Sequence, residues 1–277
     1  MTNAYYNGEY TNYENIRIPL TDRSIFFGDG VYDAAIGHSG KIYLENEHIS
    51  RLADNAARLS IKMNLSHEEI SDILHTLARE CGYGCYFLYF QLSRTSKKRV
   101  HAYPDDSASS FFAYAEPMPS QKHTLKLLTT EDKRYYYCNV KTVNLLPAVL
   151  ASRAAADTDC DEAVFIRDGI VTECAHSNVS ILKNETLITH PANEYILAGT
   201  GRAHLMDACR HFEIPVVEKE YTLDELKAAD EVILTSASAL CMRIVEVDGT
   251  AVGQKAPHTL QTLQDYLLAD FVTATEK

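Results

Sequence analysis

Val140-Lys141-Thr142-Val143-Asn144-Leu145-Leu146-Pro147 is the stretch on which the reading of this chain turns. One lysine stands among apolar and small polar residues, and a proline closes the run. Proline suits the first turn of a helix, where its missing N–H would lack a partner anyway. A helix is therefore expected to run through 148–156. The lysine could be a solvated surface charge, as most lysines are, or a partly buried amine with covalent work to do. An amine that forms an imine must be neutral for part of its life. A free lysine stays protonated up to about pH 10.4, so covalent use calls for desolvation or nearby positive charge. Few other charges surround Lys141 in its own stretch.

Other short strings flank it in order. Upstream lie Gly28-Asp29-Gly30-Val31-Tyr32-Asp33, His48-Ile49-Ser50-Arg51-Leu52 and Arg99-Val100-His101. Downstream lie Val171-Thr172-Glu173, then Ala175-His176-Ser177-Asn178, then Gly199-Thr200-Gly201-Arg202, then Thr235-Ser236-Ala237-Ser238-Ala239. Arg99 and His101 stand two apart, so on extended backbone they would point the same way. An arginine offers two parallel donors to a planar carboxylate. The bland alternative is a solvated basic run made of Arg94, Lys97, Lys98, Arg99 and His101. A glycine-flanked helix start such as 199–202 presents unpaired N–H groups to an anion, or is simply a turn. Glu173 is either an exposed strand glutamate or a carboxylate beside a protonated ring nitrogen. Arg51, on its own, reads as a solvent-facing helix arginine.

Composition narrows the classes. A chain of 277 residues, 46% hydrophobic and 23% charged, can bury a large core in one or two domains. Its net charge of −12 speaks against nucleic acid and anionic lipid as partners. No apolar run approaches membrane-spanning length, and residues 1–10 carry no apolar stretch of a signal peptide. The seven cysteines include no C-x-x-C pair, so they are expected to be reduced thiols rather than metal ligands, and no metal is expected. A cytoplasmic setting follows as the expectation.

The pattern along the chain alternates helix and strand signals. Residues 5–43 suggest short antiparallel strands. Helical spacing over 45–63 and a capping box at Ser66–Glu69 suggest two helices, the second burying Ile70, Ile73, Leu74, Leu77 and Ala78. Strands are expected at 85–94, 110–115, 124–130 and 162–166. A hairpin turn at 167–169 leads into a single returning strand over 171–182, followed by a turn at 183–185 and a strand at 186–189. Thr200 is expected to cap a helix over 201–212, and Thr222–Glu225 reads as another capping box. Strands at 231–235 and 243–247 and a helix over 259–273 complete an α+β chain. The polar, proline-bearing stretch 117–123 reads as a linker between an N-terminal α+β domain, 1–116, and a C-terminal one, 124–277.

In this order and at these separations the strings resemble the fold-type IV pyridoxal-phosphate (PLP) enzymes of the aminotransferase class IV family. The Arg-x-His string looks most like its D-amino acid aminotransferases. The resemblance spans roughly 28–249. It implies a two-domain fold with the active site at the domain and dimer interface, and a homodimer in which Arg99 and His101 reach the partner's site. It implies PLP as cofactor, with Lys141 as the catalytic Schiff-base lysine and Glu173 at the pyridine nitrogen. Arg51, Ser177, Asn178, Gly199, Thr200, Gly201, Ser236 and Ala237 complete the cofactor set. Tyr32, Arg99 and His101 form the trap for a substrate carboxylate. The chain departs from the family pattern at Gly201 and Ala237, where hydroxyl residues usually hold the phosphate; Thr200, Ser236 and backbone N–H groups remain.

The expected reaction is PLP-dependent transamination between a D-amino acid and a 2-oxo acid. The resemblance also covers 4-amino-4-deoxychorismate lyases, which eliminate pyruvate, and branched-chain aminotransferases. A non-catalytic relative, or an unrelated hydrolase with Lys141 on its surface, are the remaining alternatives.

Overall fold

The computed structural model describes residues 2–95, 98–105, 107–118, 120 and 122–276. The chain forms two compact units: Met1–Pro119 with Val140–Asn144 and Val272–Lys277, and Ser120–Asn139 with Leu145–Phe271. The break after Pro119 falls inside the stretch read as a linker, of which Pro119 and Gln121 lie outside the described residues. Lys97 of the basic run lies outside them too. Two segments expected in the second domain, 140–144 and 272–277, belong to the first unit. For 140–144 the cause is its pairing with a first-unit strand, given below.

The first unit is built on a six-stranded sheet. Its strands are β1 (Ala4–Tyr6), β2 (Glu9–Thr11), β3 (Gly30–His38), β4 (Lys41–Ile42), β5 (Cys85–Thr95) and β6 (Ala108–Pro117), in spatial order β2-β1-β6-β5-β3-β4 and all antiparallel. A short helix α1 (Ser24–Phe27) precedes β3, and α2 (Glu45–Arg58) and α3 (His67–Glu80) follow β4. The Ser66 capping box forms, and α3 buries the expected Ile70, Ile73, Leu74, Leu77 and Ala78. Alternation along the strands divides the sheet. Val31 and Ala35 of β3 and Tyr86, Leu88 and Phe90 of β5 share a core with Ile49 and Leu52 of α2. Tyr32 and Tyr89 turn to the opposite face, where their rings stack at 5.2 Å.

The second unit holds a nine-stranded mixed sheet. Its strands are β7 (Thr124–Glu131), β8 (Glu162–Arg167), β9 (Ile170–Cys174), β10 (Asn178–Lys183), β11 (Thr186–Thr189), β12 (Val216–Glu218), β13 (Glu231–Thr235), β14 (Met242–Val247) and β15 (Thr250–Ala251). The order is β12-β11-β10-β13-β14-β7-β8-β9, with β15 on β14. Helices α4 (Leu146–Asp157), α5 (Thr200–His211), α6 (Leu223–Lys227) and α7 (Pro257–Glu276) accompany it, α6 entered through the Thr222 capping box. α4 carries its proline in the first turn.

Two expectations are corrected here. The single strand over 171–182 is two strands, because the buried Glu162 carboxylate captures the bend between them. It accepts from the His176 amide at 2.8 Å and from the Ser177 hydroxyl at 2.6 Å. At α5 the N-cap is Gly199, not Thr200, and no side chain caps that end. No helix among the described residues is long and apolar enough to cross a membrane.

Candidate active site

Lys141 is fixed by strand pairing to β3. The Tyr32 amide donates to the Lys141 carbonyl at 3.0 Å, and the Val143 amide donates to the Gly30 carbonyl at 3.2 Å. Asn144 Nδ2 donates to the Gly28 carbonyl at 2.8 Å, tying the far end of the segment to the turn before β3. Val140 is buried in the first unit's core, so the chain enters the segment anchored. Lys141 Nζ lies 4.4 Å from the Tyr32 ring centroid, on the aromatic face of the sheet. The lysine and Tyr32 are thus brought together by the parity of β3.

That parity sends Asp33 to the other face. Asp33 is wholly buried and meets α2, accepting from Arg51 Nε and Nη2 at 2.7 Å each and facing His48 Nδ1 at 2.8 Å. Arg51 is therefore not a solvent-facing arginine. Two of its nitrogens serve Asp33, and Nη1 makes no hydrogen bond to protein among the described residues.

Arg99 and His101 are exposed in this chain. The Arg99 guanidinium lies 5.1 Å and 5.5 Å from the Phe27 and Phe26 ring centroids, and the His101 ring lies 5.3 Å from Phe27. Arg94, grouped with them in sequence as a solvated charge, is instead buried.

In the second unit Glu173 is buried on β9 with its oxygens individually engaged. Oε1 accepts from Arg134; Oε2 accepts from Asn178 Nδ2 at 3.0 Å and from the Leu197 amide at 2.9 Å. Arg134 lies 4.2 Å from the Phe165 ring centroid and also pairs with Asp132, 2.9 Å away. Burial alone would lower Arg134, but Asp132 and Glu173 hold it firmly protonated. Arg134 is a residue sequence reasoning passed over, since Glu131-Asp132-Lys133-Arg134 looks like an exposed charged turn. Ser177 uses its hydroxyl on Glu162, and Asn178 acts on Glu173, so both shape the acid's surroundings.

The strings 199–202 and 235–239 meet. A Cβ placed on Gly201 would stand 2.9 Å from the Ser236 carbonyl oxygen and 3.2 Å from the Ser236 amide nitrogen. One placed on Gly199 would collide with Asn178 Oδ1. The helix start and the loop after β13 therefore pack backbone against backbone. Ser236 Oγ accepts from the Ala239 amide at 3.0 Å. Thr235 sits opposite Asn178 in the ladder and so shares its face, and its buried hydroxyl has no hydrogen-bond partner among the described residues.

A sequence model of the family Amino-transferase class IV matches residues 30–247. This chain belongs to that family. It is 33% identical to a D-alanine aminotransferase of Staphylococcus epidermidis over 273 residues, which cover 96% of this chain and 97% of that protein. Among solved structures, a branched-chain aminotransferase of the thermophilic archaeon Thermoproteus uzoniensis, with norvaline, superimposes at a TM-score of 0.89. It is 21% identical and covers 98% of this chain and 95% of its own. A putative 4-amino-4-deoxychorismate lyase of Legionella pneumophila superimposes at 0.86. It is 25% identical and covers 93% of this chain and 97% of its own. The fold is the α+β fold of the class IV aminotransferases, which are PLP-dependent enzymes.

The residues present fit that cofactor. The α5 N-terminus offers N–H groups without intrahelical partners, pressed by Gly201 against Ser236. The Thr235 hydroxyl is buried and unpartnered. Glu173 is a buried carboxylate kept company by an arginine and two neutral donors. Anion-binding donors and a buried carboxylate are what a phosphate and a protonated ring nitrogen require.

Proposed function

We propose that this protein is a PLP-dependent aminotransferase that moves an amino group between a D-amino acid and a 2-oxo acid. The observation that carries the reading is the seating of Lys141 on β3 with its Nζ beside Tyr32. The near full-length similarity to a D-alanine aminotransferase supports the D-amino acid as substrate class.

Lys141 would hold the cofactor through Nζ, and Glu173 would face its pyridine nitrogen. Arg51 Nη1, Thr200, Ser236, the backbone of Gly199, Gly201 and Ala237, and the α5 N-terminus would take the phosphate, with Ser177 and Asn178 fixing the Glu173 bend. When bound, PLP supplies the electron sink that makes the substrate's Cα–H bond breakable. Freed when the substrate's amino group takes its place, Lys141 Nζ would be the base that takes the α-proton and the acid that returns it. Glu173, an anion beside Arg134, keeps a proton on the nitrogen it faces. Arg99 and His101 read the substrate's carboxylate, with Tyr32 beside Lys141. Their exposure in a single chain fits a homodimer in which each subunit lends this string to the other. All seven thiols are free, which suits a reducing, cytoplasmic setting.

The test is a substrate panel on PLP-loaded protein. D-alanine with 2-oxoglutarate should give pyruvate and glutamate in equal amounts, and L-alanine should not. Pyruvate formed from aminodeoxychorismate without an amino acceptor, with D-alanine inert, would replace this reading with the lyase one.

A further inference from the structure

Two buried arginines grip the segment that bears Arg99 and His101. Arg23 has a side chain only 5% exposed, and its Nε donates to Asp29 Oδ2 at 2.7 Å. Its Nη1 donates to the Val100 carbonyl at 2.6 Å and its Nη2 to the His101 carbonyl at 3.1 Å. The same guanidinium lies 4.5 Å from the Phe27 ring centroid, and Phe27 is the ring against which Arg99 and His101 rest. Arg94 shares Asp29, donating to it from Nε at 3.1 Å and 3.2 Å. Its other nitrogens are fixed on the Leu59 and Ser60 carbonyls, and it lies 3.6 Å from the Tyr103 ring centroid. The string is thus held from below at residues 100, 101 and 103, while 99 and 101 stay open to solvent.

We propose that Arg23, aimed by Asp29 and stacked on Phe27, is a positioning residue that sets Arg99 and His101 for the substrate's α-carboxylate. The inference rests on reading those two residues as the carboxylate ligands. Its physical basis is the cost of order. A two-point grip on a carboxylate works only in one orientation, and a free arginine side chain samples many rotamers. Clamping both neighbouring carbonyls and supplying an aromatic platform removes much of that disorder before substrate arrives. Nothing about this task requires Arg23 to touch substrate.

The test compares holoenzymes of Arg23→Lys, Arg23→Gln, Phe27→Leu and Arg99→Gln. Lysine keeps the charge beside Asp29 but cannot hold two carbonyls in a plane. For Arg23→Lys and Arg23→Gln we expect KM for D-alanine to rise by about tenfold to a hundredfold. kcat at saturation and the visible absorbance of bound cofactor should stay near the parent's, and inhibition by acetate, which offers only a carboxylate, should weaken in step. Phe27→Leu should show a smaller rise of the same kind. Combining Arg23→Lys with Arg99→Gln should raise KM by less than the product of the two separate effects, because one of the two positioned groups is already gone. If Arg99→Gln leaves KM and acetate inhibition unchanged, the carboxylate reading fails and takes this inference with it. If Arg99→Gln raises KM but the Arg23 variants do not, the inference alone is overturned. Loss of cofactor and kcat with no change in KM would also overturn it, as would failure of both Arg23 variants to fold while Phe27→Leu leaves KM unchanged.

Discussion

Asp33 holds Arg51 by two parallel hydrogen bonds of 2.7 Å, and Asp33 is wholly buried while Arg51 keeps 15% of its side chain exposed. The pair fixes the orientation of Arg51, the arginine proposed above to meet the cofactor's phosphate. Burial by itself would raise the Asp33 carboxyl. The charge and hydrogen bonds of Arg51, with the hydrogen bond to His48, outweigh it and hold the group well below the usual carboxylate range.

Asp33→Asn should therefore cost stability and weaken cofactor binding together. Removing one partner of a buried ion pair costs about 3 kcal/mol or somewhat more, which urea unfolding would read directly. The pH dependence has a fixed sign. A carboxyl whose folded value lies below its unfolded value of about 3.9 stabilises fully above that pH and progressively less as pH falls below it. The parent should lose stability more steeply than Asp33→Asn on acidification below about pH 4; equal slopes would show that the pair contributes nothing.

Gly201→Thr restores a hydroxyl that the family pattern usually has, yet it should weaken the phosphate grip. The new Cβ would press on the Ser236 carbonyl at 2.9 Å, and backbone cannot swing aside as a side chain can. Overpacking of this kind costs about 1–3 kcal/mol. The expected result is a lower melting temperature and a raised dissociation constant for PLP, measured by equilibrium dialysis. Tighter binding would mean that the helix start can move.

Much of this architecture is legible in the chain itself. The capping boxes at Ser66 and Thr222 mark their helices because the chemistry is local, within three residues. Lys141 and Tyr32 are legible through their strings. What stays hidden acts at long range. Arg23 meets Val100 across 77 positions, and Arg134 meets Glu173 across 39, with no local pattern to announce either pairing. Asp33 left a trace: an acid between Val31 and Ala35 on a strand, at buried parity, has to find a cation. β12 escaped notice because a three-residue edge strand is too short to show a period.

Lys141→Ala should stop transamination without unfolding the protein. The segment is held by backbone pairing to β3 and by Asn144, none of which needs the lysine side chain. Loss of the group that moves the α-proton should lower kcat by about 10²–10⁴-fold, while circular dichroism and the unfolding midpoint stay close to the parent's. Turnover of D-alanine at the parent rate would remove Lys141 from the mechanism.

Glu173→Gln should separate binding from chemistry. Glutamine keeps the size and can still accept from Asn178 and the Leu197 amide, but it carries no charge to keep a proton on the nitrogen it faces. A loss of one preorganised electrostatic contact in an active site lowers kcat by about 10²–10³-fold. PLP should still bind, with an altered visible spectrum. An unchanged kcat would show that Glu173 serves only its partners within the protein.

Glu162 tests whether the bend is structural support for the site or mere connection. Its two oxygens take the His176 amide and the Ser177 hydroxyl, and the bend they hold places Glu173 and Asn178 at the ends of β9 and β10. Glu162→Ala would leave the buried Ser177 hydroxyl without its partner, at about 1–3 kcal/mol, and would free the part-buried His176 amide as well. The neighbouring segment could then straighten towards the single strand that the sequence pattern alone suggests. The Asn178–Glu173 hydrogen bond would stretch as it did so. We expect lowered stability and a drop in kcat in the same direction as Glu173→Gln, but smaller. Glu162→Gln, which can serve only one of the two donors as an acceptor, should fall between the parent and the alanine variant. Reduced stability in Glu162→Ala with kcat untouched would show that the bend holds the sheet and leaves Glu173 in place.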